Sequence, residues 1–494
     1  MAPTRAVVIG AGLGGLAAAC HLAGGGADVT LVEEGDRPGG LTGLLVRDGY
    51  RLDTGPTVLT MPELLEPAFA AVGADVTACL KLERLDPIYR ACFADGSTLR
   101  VRAERGAMAE EIRAQCGATE AAAFERFRDW LTTLYQVEFP AFIDRNFDSP
   151  LELLRPVGPF MALVRLGGLR RLSTMVERTF RDERLRRLFS FQALYVGLAP
   201  QRALAAMAIV TYMDSVAGVW FPAGGIHAIP EALAAAATNA GVDIRYRTRA
   251  DRILTAGSAR GAVRGVALET GEQLAADAVV CNADRDSVYG QLLADVPPAR
   301  MVRRARYSPS ALLLLAGVRG SAPPDAAHHN LHFGDAWKSA FRTLITDGRR
   351  MPDPSFLVSL PASTDPSLAP AGRSIVHALE PVPNLDGRVD WAADSARSRA
   401  ELLARVRDAG YLPEEPEVAE WTDPPAWAAR GLTRGTPFSL AHSFWQSGPF
   451  RPPNRERRVP GLFFCGAGTV PGVGVPMVLI SGRLAAARVL EARG

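Results

Sequence analysis

An α/β fold of more than one domain is predicted by three observations on the 494-residue sequence. A strand, a glycine turn, a helix and a second strand follow one another over residues 6–33. A further strand, glycine loop and helix close the chain over residues 462–492. Between them, a long helical stretch interrupts short alternating strands. A chain of this length is too long for one core, so two or three domains are expected. Hydrophobic residues at 48% and charged residues at 22% describe an ordered globular protein. The 55 basic and 53 acidic residues leave a formal charge of +2, which makes no case for nucleic acid as a partner.

In the opening unit, Ala6-Val7-Val8-Ile9 and Val29-Thr30-Leu31-Val32 are short apolar strands. Gly10, Gly12 and Gly15 fit G-x-G-x-x-G, with Gly14 beside the third. The three glycines give, in turn, a tight turn, backbone approach to a pyrophosphate, and close helix-to-strand packing. A helix starting near Leu13 aims free N–H groups and its positive dipole end at the phosphates. Glu33 lies 18 residues beyond Gly15, where an acid accepts hydrogen bonds from an adenosine ribose and repels a 2′-phosphate. FAD or NAD is therefore expected over NADP. Residues 6–27 hold no Asp, Glu, Lys or Arg, as a membrane helix would. Seven glycines and His21 interrupt that run and a strand pattern resumes at once, which argues against a span or a signal peptide.

After Glu33 comes a second glycine turn, Gly35-Asp36-Arg37-Pro38-Gly39-Gly40, and then a short strand, Leu44-Leu45-Val46. An NAD dehydrogenase would usually enter another helix here; a second turn is the habit of FAD oxidoreductases. Tyr50 to Thr57 is expected as a loop bent at Gly55 and Pro56, with Asp53 and Thr54 as caps. Tyr89–Phe93 and Thr98–Val101 flank Asp95-Gly96, a hairpin signal. From about Ala107 to Ala217 apolar residues recur three and four apart, which predicts helices. Within that stretch residues 157–176 are nearly free of acid and mix Phe160, Met161, Leu163, Val164, Leu166 and Leu169 with Arg165, Arg170 and Arg171. Such a basic amphipathic helix suits either a membrane interface or internal packing.

A helix is expected from about His227 to Ala240, with strands at Asp243 to Arg247, Val263 to Leu268 and Ala278 to Cys281. These return the chain to α/β character. Residues 301–454 are mixed strands and loops, with an apolar run from Ala311 to Val318. His328, His329 and His332 follow Pro323-Pro324 and are expected in a solvated turn rather than at a metal. Six scattered cysteines without a C-x-x-C pair argue against a disulfide framework and for a reducing compartment. Leu462-Phe463-Phe464-Cys465 then enters a glycine loop, Gly466 to Gly474, and a helix from Val475 with Pro476 in its first turn. That helix N-terminus would stabilise negative charge on a reduced flavin, and Gly472 and Gly474 would let main chain approach the ring.

The stretches RLDTGPTVLTMP from Arg51, NFDSPLELL from Asn146, CNAD from Cys281 and CGAGTVPGVGVP from Cys465 together resemble the bacterial and fungal phytoene desaturases, carotenoid-forming FAD enzymes. The resemblance covers nearly the whole chain. It implies a Rossmann-like FAD-binding domain made of residues 1–75, 222–300 and 455–494, a mixed-sheet substrate domain of 76–106 and 301–454, and a helical membrane-associating region of 107–221. It also implies FAD contacts at Gly10, Gly12, Gly14, Gly15, Glu33, Gly39, Gly40, Gly55, Pro56, Thr57, Gly466, Thr469, Gly472, Gly474 and Val475. The substrate would be a long apolar isoprenoid, phytoene above all, desaturated stepwise towards neurosporene or lycopene. The electron acceptor would be a quinone or oxygen, and the enzyme would sit in the cytoplasm against the inner face of the cell membrane, with no metal. Glu152 and Arg155 fall where related desaturases are thought to use an acid and an arginine; a surface ion pair three residues apart is the other reading. Two positions depart from the family: Leu41 stands where an arginine is usual, and Val470 where a histidine often precedes the proline. Other carotenoid enzymes (a C30 or hydroxylated-carotene desaturase, a ketolase, an isomerase) and a flavin amine oxidase share the motifs.

Overall fold

The computed structural model describes residues 3–155 and 157–492. Strand Arg5–Ile9 lies at the centre of a five-stranded parallel sheet in the order Asp243–Arg245, Asp28–Val32, Arg5–Ile9, Ala278–Cys281, Leu462–Phe464. Its register sets Val7 beside Thr30 on one side and Val279 on the other. A strand with partners on both edges and helices on its face must be apolar throughout, and Ala6 to Ile9 are all buried. Helix Leu13–Gly24 packs on this sheet and against helix Val475–Glu491. The two helices touch at glycine: a Cβ on Gly482 would stand 2.3 Å from the Gly14 carbonyl oxygen, so no larger residue fits there.

A seven-stranded mixed sheet forms the second layer, in the order Val418–Thr422, Ser310–Arg319, Arg373–Val382, Phe356–Ser359, His329–Phe333, Tyr89–Phe93, Thr98–Val101. The last two strands are the expected hairpin, its turn held by the Asp95 carboxylate accepting from the Ser97 N–H and hydroxyl. The apolar run at 311–318 is strand Ser310–Arg319, buried on both faces. Leu312, Leu314, Ala316 and Val318 pack with Trp391, Leu402 and Val406 of helix Trp391–Asp408. Ala311, Leu313 and Leu315 point the other way, into a cavity.

A helical region is dominated by helix Ala118–Glu138, whose Phe124 stacks on Phe189 and whose Phe127 packs edge-on against Phe180. Among the described residues no helix is long and apolar enough to cross a membrane. Several expectations are corrected here. Residues 157–176 are not one helix but two, Val157–Arg165 and the start of Leu172–Thr179, broken at Gly167 and Gly168. Gly167 has φ +77, and Gly168 lies so close to Leu163 that a Cβ would stand 2.2 Å from Cδ1. Tyr50–Asp53 is a strand paired with Leu44–Arg47, not a loop. Strands Ala250–Thr255 and Gln273–Ala275 flank Val263–Leu268 in a small antiparallel sheet whose charged outer residues hide the alternation. The histidines at 328–332 are not in a solvated turn: His329–Phe333 pairs with strands on both sides, which buries His328 and His329.

Candidate active site

The two glycine loops, from opposite ends of the chain, line one cavity of about 1680 Å³. Typical small-ligand pockets run to roughly 1,000 Å³, so this one has room for more than a dinucleotide. Gly10, Gly12, Gly14, Glu33, Gly39, Gly40, Gly55, Pro56 and Thr57 form its wall on one side and Gly466, Gly474 and Val475 on the other. Asn282, the residue after strand Ala278–Cys281, sits between the loops. A Cβ on Gly12 would meet its Nδ2 at 2.6 Å, one on Gly14 its Oδ1 at 2.6 Å, and one on Gly466 the same Oδ1 at 2.9 Å. Its Oδ1 also accepts from the Cys465 thiol at 3.5 Å. Backbone stripped of side chains on three sides of one cavity is what close approach to a phosphate chain requires. The residues present therefore fit a dinucleotide cofactor.

Glu33 is tied in place before any ribose reaches it. One carboxylate oxygen accepts from the Ala11 N–H at 2.7 Å and the other from the Gly35 N–H at 2.8 Å, which clips the first glycine turn to the second. Gly39 and Gly40 have φ +127 and +58, and Gly39 bridges to Gly12. Gly55 presses on Leu41, whose carbonyl oxygen would be 1.9 Å from a Cβ there. Leu41 itself lines the cavity. Asp53, one residue before the bend, is buried and accepts from the Ile226 and His227 N–H groups at 2.8 and 3.0 Å, so it anchors the start of helix Ala228–Asn239. Burial pushes its carboxyl up to about 6 against the pull of those two bonds.

Three residues implied by the resemblance stand behind the wall rather than in it. Gly15 packs its Cα on the Gly10 carbonyl, where a Cβ would come within 2.0 Å. The Thr469 hydroxyl donates to the Pro452 carbonyl at 2.6 Å. Gly472, at φ +147, makes room for His442, whose Nε2 would be 2.1 Å from a Cβ. A histidine from another segment thus lies against this loop. His442 lines the cavity, its Nδ1 is buried without a partner, and burial holds its ring well below the usual histidine range.

No sequence motif pointed to Arg451. Its buried guanidinium donates to the carbonyls of Thr469 at 3.0 Å, Ala467 at 2.6 Å and Gln446 at 3.2 Å, and so pins the second glycine loop from behind. Burial lowers it to about 9. The remaining wall is apolar: Leu313 and Leu315 from one strand, Leu379 from the next, Leu357 from the strand beyond it, and Ile209, Val210 and Met213 from the helical region. Register sets Leu313 beside Leu379 and Leu379 beside Leu357, a continuous leucine surface. Thr57 reaches that surface through His329, whose Nδ1 lies 3.4 Å from the threonine hydroxyl. Two carboxyls, Glu138 and Asp214, interrupt it.

Glu152 and Arg155 are not brought together or to this wall. Glu152 binds Arg145 at 3.3 Å and accepts from the Asp148 N–H at 3.2 Å, on the short helical turn Pro150–Leu153, while Arg155 is exposed beyond it. Of that turn only Leu153 reaches the cavity. Exposed apolar groups cluster beside the cavity-lining Leu153, Leu169, Trp445 and Phe450. Trp445, 71% exposed, stacks edge-on against Phe450, and the turn Gly448–Phe450 packs on Pro150–Leu153, whose Leu151 is 70% exposed. Leu154, Val157, Met161, Val164 and Leu169 are exposed alongside them, with Arg165, Arg170 and Arg171.

Residues 13–490 match the family described as flavin containing amine oxidoreductase. A phytoene dehydrogenase of Streptomyces griseus is 48% identical over 99% of this chain and 95% of its own length. A zeta-carotene-forming phytoene desaturase of Myxococcus xanthus is 38% identical over 98% of this chain and 94% of its own. Among solved structures, an oxidoreductase from Methanosarcina mazei superposes with a TM-score of 0.64 over 99% of this chain and all of its own, at 18% identity, and so shares the fold.

Proposed function

The chain belongs to the flavin containing amine oxidoreductases and, within them, to the phytoene desaturases, and from this we infer an FAD-dependent carotenoid desaturase that adds conjugated double bonds to phytoene. The observation that carries the reading is a single cavity in which two glycine loops meet a leucine-lined sheet face. Phytoene offers no ionic handle, so its binding rests on apolar area at about 25 cal/mol per Å². FAD, when bound, supplies the hydride acceptor. The glycine turns around Gly12 and Gly39 would cradle its pyrophosphate, Glu33 would meet its ribose, and Gly474 with the helix from Val475 would face its ring. The leucine face of the sheet would exclude water and hold the polyene alongside the bound cofactor. Products of the neurosporene or lycopene type follow from repeated passes. Reoxidation falls to a quinone or to oxygen.

The test is anaerobic. Phytoene delivered in liposomes is expected to bleach the absorbance of the bound flavin while longer-wavelength polyene bands appear, one red shift per added double bond, and a quinone or oxygen should restore the flavin. A flavin that stays oxidised with phytoene but is bleached by a polar amine would make the protein an amine oxidase. Isomerised carotene without new double bonds would make it an isomerase.

The cluster of exposed apolar groups beside the cavity supports docking on the inner face of the cell membrane, from which the substrate would enter directly. The apolar side chains would sit among the acyl chains and Arg165, Arg170 and Arg171 among anionic headgroups. The protein is expected to sediment with anionic liposomes and to be partly released by high salt, which screens the arginines. Trp445→Ser with Leu151→Ser should weaken that binding by about 2 kcal/mol for each side chain removed from lipid. Sedimentation indifferent to lipid, or to both substitutions, would assign those groups to another role.

A further inference from the structure

Removing two hydrogens from a saturated pair of carbons leaves a proton that the flavin does not take, and the cavity wall offers few groups to receive it. His329 and His377 are buried and pushed down to about 3, and burial holds His442 well below the usual range as well, so all three are weak bases. Burial pushes Tyr89 well above the usual phenol range, and Tyr195 is raised as well. Glu138, at the end of helix Ala118–Glu138, has its Oε1 sealed without a hydrogen-bond partner, and burial raises its carboxyl well above the usual range. It enters as a neutral acid, already carrying the proton it would need to accept.

Asp214 differs in its surroundings. It lies in the wall beside Met213, buried, and each of its oxygens has a neutral donor: Gln192 Nε2 at 3.4 Å from Oδ2 and the Ser215 hydroxyl at 3.4 Å from Oδ1. Gln192 also donates to the Leu188 carbonyl at 3.1 Å, and the Thr211 hydroxyl donates to Gln192 Oε1 at 3.3 Å, so the amide is oriented with its NH₂ towards the carboxyl. The groups that face Asp214 are Gln192, Ser215, Tyr89 and Tyr195, all uncharged at neutral pH. Two contacts and one strand register place this carboxyl relative to the cofactor side. The Tyr89 hydroxyl lies 3.4 Å from the Ser215 hydroxyl. The parallel pairing of Asn330 with Arg90 sets Tyr89 and His329 at the same level of adjoining strands, and His329 reaches Thr57 at 3.4 Å. Burial against those bonds leaves the carboxyl at about 7, where it exchanges a proton with least bias.

We propose that Asp214 is the proton acceptor of the desaturation, its carboxylate standing in the wall of the cavity that the cofactor loops also line, held by Gln192 and Ser215. The proposal rests on the desaturase reading. One substrate C–H bond breaks with both electrons going to the flavin as hydride. The neighbouring C–H bond breaks with its electron pair forming the new π bond and its proton passing to an Asp214 oxygen. That proton is then lost to solvent before the next turnover, and the two electrons leave to the quinone or oxygen that reoxidises the flavin.

In the holoenzyme, Asp214→Asn keeps the shape and removes the acceptor. It is expected to retain FAD and to bind phytoene liposomes as the parent does, while desaturation falls on the order of 10²–10⁴-fold. Asp214→Glu should recover part of the rate and move the acid limb of the pH–rate profile. Infrared difference spectra of substrate-free protein should show, besides the Asp53 carboxyl that titrates at about 6, a protonated-carboxyl band titrating at about 7 in the parent and missing from Asp214→Asn. A parental rate in Asp214→Asn overturns the proposal, as does persistence of that titrating band in the variant. If Asp214→Asn does not fold, an unmoved acid limb in Asp214→Glu overturns it instead. If the parent itself leaves phytoene unchanged, the desaturase reading fails, and the infrared band still reports separately on the carboxyl.

Discussion

Replacing Gly12 with valine is expected to give a folded protein that purifies without FAD. A Cβ at that position already meets Asn282 Nδ2 at 2.6 Å, and the two γ-methyls of valine would extend into the cavity wall shared with Gly39 and Gly40. Overpacking alone costs about 1–3 kcal/mol, up to roughly a hundredfold in affinity. Loss of backbone approach to the pyrophosphate adds to that. The strands on either side need no adjustment, because the turn's hydrogen bond from the Gly10 N–H to the Val32 carbonyl, 2.8 Å, lies on the far side of Gly12. Flavin absorbance per protein and the FAD dissociation constant measure the effect. Gly106→Ala, on an exposed helix where a Cβ meets nothing within 4 Å, is the control that should change neither. Full FAD occupancy in the valine variant would separate the first glycine turn from the cofactor site.

The second large effect is unfolding in mild acid. His21, His328 and His332 are held down to about 4 and His329 and His377 to about 3, in each case by burial first, against an ordinary 6.5. The unfolded chain takes up these protons as pH falls through about 6.5, while the native chain refuses them until about 3 to 4. Stability is therefore lost progressively over that window, by about 2 kcal/mol for each fully buried histidine at pH about 5. Asp53 and Asp214 oppose this. Their native carboxyls are raised to about 6 and about 7, so they destabilise at high pH and are relieved as pH falls towards the ordinary carboxylate value. Six displaced histidines, His442 included, outweigh the raised carboxyls, Glu138 included, and native proteins hold only about 5–15 kcal/mol in reserve. Urea midpoints followed from neutral pH downward should fall steeply, and His329→Gln with His377→Gln should flatten the slope. A midpoint level across that range would show that these rings take up protons without unfolding.

The local features were legible because their causes are local. The strand, turn, helix and strand at residues 5–32, the Asp95-Gly96 hairpin and the strand entering Gly466 depend on residues within one element of each other, and glycine spacing records the close approach directly. What was missed depends on partners far along the chain. His329 reads as polar beside two prolines, and only the Tyr89–Phe93 and Phe356–Ser359 strands, some 240 residues before it and about 30 after, make it a buried ladder residue. Arg451 resembles any other arginine of this arginine-rich chain until the Ala467 and Thr469 carbonyls close on it. Glu138 and Asp214 carry no motif, since a buried carboxyl is defined by what surrounds it. Residues 157–176 kept their apolar and basic composition as expected, but Gly167 and Gly168 divide what periodicity joined.

The parallel sheet that carries the cofactor loops draws its five strands from residues 5–32, 243–281 and 462–464. Chain emerging from a ribosome can complete the first βαβ unit early, but Val7 waits more than 200 residues for Val279 to take its place beside it, and Val279 in turn waits for Leu462. Closing loops of that length is slow, and an unpaired parallel edge is prone to wrong partners in the meantime. Because the Gly14–Gly482 contact comes later still, flavin cannot be gripped from both sides during synthesis. Starving cells of flavin should therefore leave the finished chain, rather than the nascent one, as the species that chaperones hold.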